Sequence, residues 1–323
     1  FEDEGEKAAF KEKYGYDLDI PTTYEQMADI AEFFRRSPGD TLKGETLTQE
    51  FYGIGLMAGR FNNIFDEIMT IAWTKGGDVI NDDGTPGVDD PAFIEALNLY
   101  VNELLPYAPP GSLSAGYDFV IGQLNSGQIA MTGPVYLDQW PNAVKTETNV
   151  PGAEACIAGL PGGGKTWAGA FTLGIAKSTK HPEEAWQFLK WITGPEGQRL
   201  FAEGGGSTAR MSILTDNEFV QANREAVGHF PILVDVLEHS AKCWYTNYIH
   251  VPQAAKIYEE APAWLSAAAS GEMSVEDAMA SFAQRIEEFC EGPCEIYNEG
   301  FPKPADGCDA PFITDKSHQL RKP

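Results

Sequence analysis

Gly159-Leu160-Pro161-Gly162-Gly163-Gly164-Lys165-Thr166 is the stretch whose reading decides the fold. It satisfies the phosphate-loop pattern, in which glycine backbone amides cradle phosphates and a lysine neutralises them. An apolar run, Ala155 to Leu160, leads into it, and Ile232-Leu233-Val234-Asp235 could pass as a second apolar run ending in a magnesium-binding acid. The mechanism requires a helix opening at Lys165-Thr166, with its N-terminus facing the phosphates. The chain continues instead as Trp167-Ala168-Gly169-Ala170-Phe171-Thr172-Leu173-Gly174, whose glycines and aromatics read as turn and strand. Pro161 inside the loop and Pro231 before the second run also sit poorly. The stretch therefore reads as a surface hairpin loop rather than a nucleotide site.

Outward from that loop the chain alternates helical and strand-like segments, which points to an α/β architecture. Upstream, Pro21-Thr22-Thr23-Tyr24-Glu25-Gln26 carries capping-box spacing twice and predicts a helix with Met27, Ile30, Ala31 and Phe34 on one face. The apolar stretch Ile64 to Trp73 runs into Gly76-Gly77, a helix stop. Asp78 to Gly84 reads as a short strand with an Asp-Gly turn, without the ligand spacing of a calcium loop. Asp90-Pro91 starts a helix with Phe93, Ala96, Leu97 and Tyr100 at helical spacing, and residues 109 to 116 form a loop. Gly127 to Thr132, Ala155 to Leu160 and Ala170 to Ala176 are predicted strands. Downstream, His181-Pro182-Glu183-Glu184 opens a helix whose stripe is Ala185, Phe188, Leu189 and Ile192, ended by Gly194-Pro195. After a Gly-rich loop, Gly204 to Arg210, long helices are expected over much of 216–242 and 252–289.

The chain has 323 residues with 23 basic and 48 acidic side chains, a net charge of −25. Phosphate backbones are bound by clustered Lys and Arg, so nucleic acid is excluded as a partner, and an anionic membrane surface is disfavoured. The composition is globular and the length suits two domains. No run of eighteen apolar residues occurs, and the opening Phe1-Glu2-Asp3-Glu4-Gly5 has neither a basic nor an apolar region, so a signal peptide is expected to be absent or already removed. Of the five cysteines, Cys290, Cys294 and Cys308 cluster near the C-terminus and can hold one disulfide in an oxidising compartment; unpaired thiols are the alternative.

Asp235, His239 and Cys243 fall at i, i+4 and i+8, one face of a continuous helix, but three ligands without a fourth make a weak metal set; a packed Cys beside a solvated Asp–His pair is preferred. No Gly-x-Ser-x-Gly elbow exists and the five histidines have no partner motif. The acids are numerous enough that counting alone leaves a glycosidase pair open. Aromatics say more: Tyr136 and Trp140 follow the strand end at Gly133-Pro134, Phe171 lies beside Gly169, and Trp244, Tyr245 and Tyr248 cluster after a helix. Loops at strand ends are where α/β proteins hold ligands, and flat rings suit sugar C–H faces, although for any single ring core packing is the preferred reading.

Taken together, these segments resemble the solute-binding proteins of ABC importers, in the sugar-binding group related to maltose-binding protein. The resemblance is carried by Lys11 to Tyr16, Pro21 to Glu25, Trp73 to Asp78, Phe119 to Met131 with its Gly127-Gln128-Ile129-Ala130-Met131, and Leu160 to Gly163. It continues through Gly169 to Lys177, Ser178 to Trp186 and Gly194 to Gln198, covering residues 1 to about 285. It implies a two-lobed α/β fold with an interlobe ligand cleft and hinge closure. Residues 1–173 would be most of the second lobe, 174–215 a first-lobe segment, 216–289 a helical return to the second lobe, and 290–323 a Cys-containing tail. The first lobe would be incomplete, lacking something like 100 residues before the segment matching Phe1.

Carried over by position, the resemblance implies ligand contacts at Phe65 and Asp66, at Tyr136 and Trp140, and at Gly169, Phe171 and Thr172. It adds Arg210 as a bidentate donor and Trp244 and Tyr245 as the last aromatic contacts. Val135 takes the first place after Gly133-Pro134, and Ala170 and Phe171 replace a glycine and a tryptophan of the family pattern. The expected protein is a monomeric, non-enzymatic binder of a saccharide or similar polar solute, periplasmic or anchored at the cell surface as a lipoprotein, with ABC permease subunits as partners and neither cofactor nor metal. A carbohydrate-active enzyme using cleft carboxylates, or a ligand sensor for a membrane receptor, is the alternative.

Overall fold

The computed structural model describes residues 1–135, 137–162, 165–166, 171–243 and 245–297, with the backbone alone at 137 and 240–242. These residues fall into two compact units. One is built from Phe1–Val135 with the described parts of 159–167 and 239–313, the other from the described parts of 136–158 and 168–238. These divisions fall at other places than the limits at 173, 215 and 289 drawn from the sequence.

The first unit is organised around the helix Asn62–Thr74, in which every residue from Ile64 to Trp73 is buried. A helix buried on all sides is the centre of its domain rather than its surface. Against it pack the helices Ala254–Ala269 and Pro91–Asn98, and the helix Val275–Cys290 lies against both of these. The helix Tyr24–Phe34 begins as expected, the Thr23 side chain accepting from the Gln26 amide. It lies on the strand Tyr52–Gly55, so closely that a Cβ on Gly53 would stand 1.8 Å from the Ala31 carbonyl oxygen. That strand pairs in parallel with Ile129–Thr132, in the register Tyr52↔Ile129 and Ile54↔Met131. The expected strand at Gly127–Thr132 is thus present. A two-residue hairpin, Thr41–Leu42 with Glu45–Thr46, is the other pairing among the described residues.

Several expected elements differ. Asp78 to Gly84 makes no strand; Ile80 forms a single bridge with Pro86, and Asn81 to Gly84 is a turn, with Gly84 at φ +84°. Ala155–Leu160 and the described part of Ala170–Ala176 are irregular. A strand needs a neighbour for its amides and carbonyls, and no described strand lies alongside either. The long helix expected over 216–242 is broken into Asn217–Ala222, Arg224–Val227 and Phe230–Cys243, with Asn223 and Gly228 at the breaks. In the loop with phosphate-loop spelling, expected at the surface, Pro161 and Thr166 are buried, and the Gly162 amide donates to the Thr22 carbonyl at 2.9 Å. No helix opens at Lys165 or Thr166, and residues 163–164 and 167–170 lie outside the described residues.

The second unit is helical among the described residues. Its core gathers Ala202, Ile213, Leu214, Phe219, Val220, Val227, Phe230 and Val234. The helix Pro182–Ile192 forms where expected and buries none of its residues.

Cys290 and Cys294 form a disulfide, as the C-terminal spacing allowed. Cys243 is disulfide-bonded too, which removes the thiolate from the Asp235–His239–Cys243 set. Cys156 is free and exposed. Among the described residues no group of three His, Cys, Asp or Glu side chains is placed to hold a metal ion. No described helix is long and apolar enough to cross a membrane.

Candidate functional site

An acid and three aromatic rings meet on the central helix of the first unit. Phe65 is fully buried and sits edge-on to Tyr248, with ring centroids 5.6 Å apart, and tilted against Tyr258 at 5.8 Å. Asp66, 4% exposed, accepts the Tyr258 hydroxyl at 3.0 and 3.2 Å through its two oxygens. Burial pushes the Asp66 carboxyl up to about 7, opposed by the Tyr258 hydrogen bond. Burial and the neighbouring Asp66 charge hold the Tyr258 hydroxyl above its ordinary range. A carboxyl poised near neutrality beside a tyrosine hydroxyl and flat apolar faces can accept hydroxyl donors and cover C–H surfaces.

The next residue has a different task. Glu67, fully buried, accepts the Met57 amide at 3.0 Å and the Tyr100 hydroxyl at 2.6 Å, tying the end of the strand Tyr52–Gly55 to the helical segment Leu99–Leu104. Close packing of Glu67 against Gly133 leaves no room for a side chain there, since a Cβ on Gly133 would meet its Oε1 at 2.6 Å.

Tyr245 lies in the segment after the helix Phe230–Cys243, stacked on His250 at 5.3 Å with the rings 19° apart. Asp78 holds this segment. It accepts the Thr246 hydroxyl at 2.6 Å, the Asn247 amide at 2.8 Å, the Val79 amide at 2.7 Å and the Trp73 indole at 3.3 Å. Asn247 extends the knot to the Ile80 carbonyl and the Asp82 carboxylate. Burial raises the Asp78 carboxyl despite these donors.

The other expected contacts stand elsewhere. Trp140 is buried in the second unit, its indole donating to the Arg224 carbonyl at 2.6 Å while the Arg224 guanidinium covers its ring. Arg210 donates through Nε to the Thr193 carbonyl at 2.7 Å, tying the end of the Pro182–Ile192 helix to the Gly-rich loop. Phe171 is fully exposed and Thr172 is exposed. Tyr136, Gly169 and Trp244 lie outside the described residues. Sequence reasoning missed Tyr258 and Asp78 as site residues. Asp78 had a signal, an acid just after Gly76-Gly77; Tyr258, 192 positions from its partner Asp66, had none.

A two-unit fold in which the chain crosses between units more than once is that of the two-lobed periplasmic binding proteins. A solute-binding protein of an ABC transporter from Agrobacterium vitis S4, solved with bound D-mannitol, superposes with a TM-score of 0.65 at 20% identity, over 92% of this chain and 71% of that one. The chain belongs to the bacterial extracellular solute-binding protein family, whose model matches residues 6–199. A probable amino-acid ABC transporter periplasmic-binding protein of Sinorhizobium fredii is 25% identical over 167 residues, 49% of this chain and 38% of that protein. The mannitol-binding protein of Pseudomonas aeruginosa is 24% identical over 229 residues, 65% of this chain and 49% of that protein. The matched part of this chain thus spans between 38% and 49% of these curated relatives.

Proposed function

We propose that this chain belongs to an extracytoplasmic binding protein that captures a saccharide or polyol, without altering it, and delivers it as a monomer to ABC permease subunits. The observation that carries the reading is the buried Asp66–Tyr258 pair set among Phe65 and Tyr248. A solute rich in hydroxyls matches that pair: its O–H groups donate to the carboxylate, and its C–H face lies on the half-buried Tyr258 ring, which Phe65 packs against from within the core. Family membership and the mannitol named for two of the matched proteins support the same class. Tyr245, and with it Tyr136, Gly169, Phe171, Thr172, Arg210 and Trp244, belongs to the proposal as a second set of contacts.

The test is calorimetry with D-mannitol, ribitol, maltose and, because one relative is named for amino acids, a panel of amino acids. Saturable binding of a polyol or sugar, recovered chemically unchanged, supports the reading. Turnover of the sugar would favour the carbohydrate-active alternative, and binding of amino acids alone would replace the ligand class.

A further inference from the structure

The disulfide of the first unit takes no part in the site, yet it holds the backbone beside it. The helix Val275–Cys290 runs out into Cys290-Glu291-Gly292-Pro293-Cys294, with the two cysteines joined. Between them Glu291 takes the left-handed conformation, at φ +56°. Glycine or asparagine is usual there and glutamate is not, so the surroundings hold the turn. The ring closed by the bond is short, with a sequence separation of 4, and it constrains the unfolded chain less than a long one would; its effect is local. Beyond the ring the chain forms a strap. The Cys294 amide donates to the Gly84 carbonyl at 2.7 Å, and the Tyr297 amide donates to the His250 carbonyl at 2.8 Å. Cys294 is buried in the core, with Ile296 packed against that core, and a Cβ on Gly84 would stand 2.3 Å from the Cys294 carbonyl oxygen.

The strap bridges the same two segments that Asp78 joins through Thr246 and Asn247. Tyr248 lies between these anchors, edge-on to Phe65, and its hydroxyl donates to the Ala254 carbonyl at 3.2 Å, at the start of the helix that carries Tyr258. We propose that the Cys290–Cys294 disulfide is a redox-sensitive clamp on residues 245–250, which positions the Phe65 and Tyr258 rings through Tyr248. Its effect on affinity rests on the reading of Asp66 and Tyr258 as the ligand site. Cys290 is half-buried and Cys294 is buried, so a small dithiol reductant attacks at Cys290 Sγ. Its thiolate forms a mixed disulfide with Cys290, the bond to Cys294 breaks, and the Cys294 sulfur takes up a proton. The second thiolate of the reductant then displaces the Cys290 sulfur, which is protonated in turn. The reductant leaves as its own cyclic disulfide, having passed two electrons to the protein. With the bond open, Glu291 leaves the left-handed conformation and the strap releases His250.

The test is amide exchange at 245–250, followed in the oxidised chain, in the chain treated with dithiothreitol, and in the double variant Cys290→Ser, Cys294→Ser. The double variant separates this bond from the disulfide at Cys243, which dithiothreitol also reaches. Exchange at Asn247, Tyr248 and His250 is expected to quicken about tenfold or more in both cases, with the helix Asn62–Thr74 unchanged and the slow rates restored on reoxidation of the treated chain. Tyr297→Pro keeps both cysteines but removes the amide that donates to His250, and should quicken exchange at 248–250 without reductant. Calorimetry with D-mannitol should show affinity about fivefold weaker in each loosened form. Should no sugar or polyol bind, the ligand reading falls, and the exchange rates alone support or overturn the clamp. Exchange at 245–250 that stays slow in the double variant, or that quickens no more than in Asn62–Thr74, would overturn the proposal. A loosened segment with mannitol bound as tightly as before would overturn the positioning of Phe65 and Tyr258.

Discussion

At Asp66 stability and binding pull in opposite directions. The folded chain holds this carboxyl's proton up to about pH 7, whereas an ordinary aspartate releases it near 3.8. Between those values the folded state binds more protons than the unfolded one, so stability falls as pH rises through the window and levels off above it. The cost at full ionisation is about 4 kcal/mol. Asp66→Asn should therefore be more stable than the parent at pH 8 by a few kcal/mol, with the gain fading towards pH 4, measured by denaturant unfolding at both values. If the ligand's hydroxyls donate to the ionised carboxylate, affinity should be about tenfold weaker at pH 6 than at pH 8 in calorimetry, and Asp66→Asn should abolish that dependence. An affinity flat across this range would remove Asp66 from the site.

Among the elements, the segment 245–250 is anchored at Thr246 and Asn247 by the Asp78 carboxylate. Asp78→Ala would leave the Thr246 hydroxyl, the Asn247 and Val79 amides and the Trp73 indole without their acceptor. A loss of about 3 kcal/mol or more is expected, with faster amide exchange concentrated at 245–250. Gly53→Ala should cost a similar amount by forcing the helix Tyr24–Phe34 off its strand, read as a lowered melting temperature. Helix starts such as Thr23 and Asp90-Pro91 were legible because caps are local, as was the strand Ile129–Thr132. The Asp-Gly turn at Asp83-Gly84 was legible too, whereas the strand read from Asp78 was not: Asp78 accepts from Thr246 and Asn247, and the Gly84 carbonyl accepts the Cys294 amide at 2.7 Å, all partners distant in sequence. In the same way the pattern of Phe171–Ala176 spells a strand, yet the segment is irregular and no described strand lies alongside it. Phe65 and Asp66 came from the family resemblance; Tyr258, their partner, is specified only by tertiary packing.

For the molecule as a whole, acid should act first on the second unit. His229 is fully buried there, Nε2 2.9 Å from the Ser207 hydroxyl, and burial lowers its pKa to about 4. The unfolded state takes up this proton near 6.5, so stability is lost as pH falls from 6.5 towards 4, by about 3 kcal/mol in total. Amide exchange across 213–234 should accelerate in that range before exchange in the Asn62–Thr74 helix does, and His229→Gln should flatten the response. The central claim concerns capture rather than stability. Its most direct measurement is titration calorimetry of D-mannitol into the chain and into its Tyr258→Phe variant at pH 8. Saturable one-to-one binding, weakened in the variant by about 1–2 kcal/mol with the mannitol recovered intact, is the predicted result. Binding of equal strength in both proteins would contradict the placement of the site on Asp66 and Tyr258, and absence of binding by mannitol and every other sugar or polyol tested would contradict the ligand class.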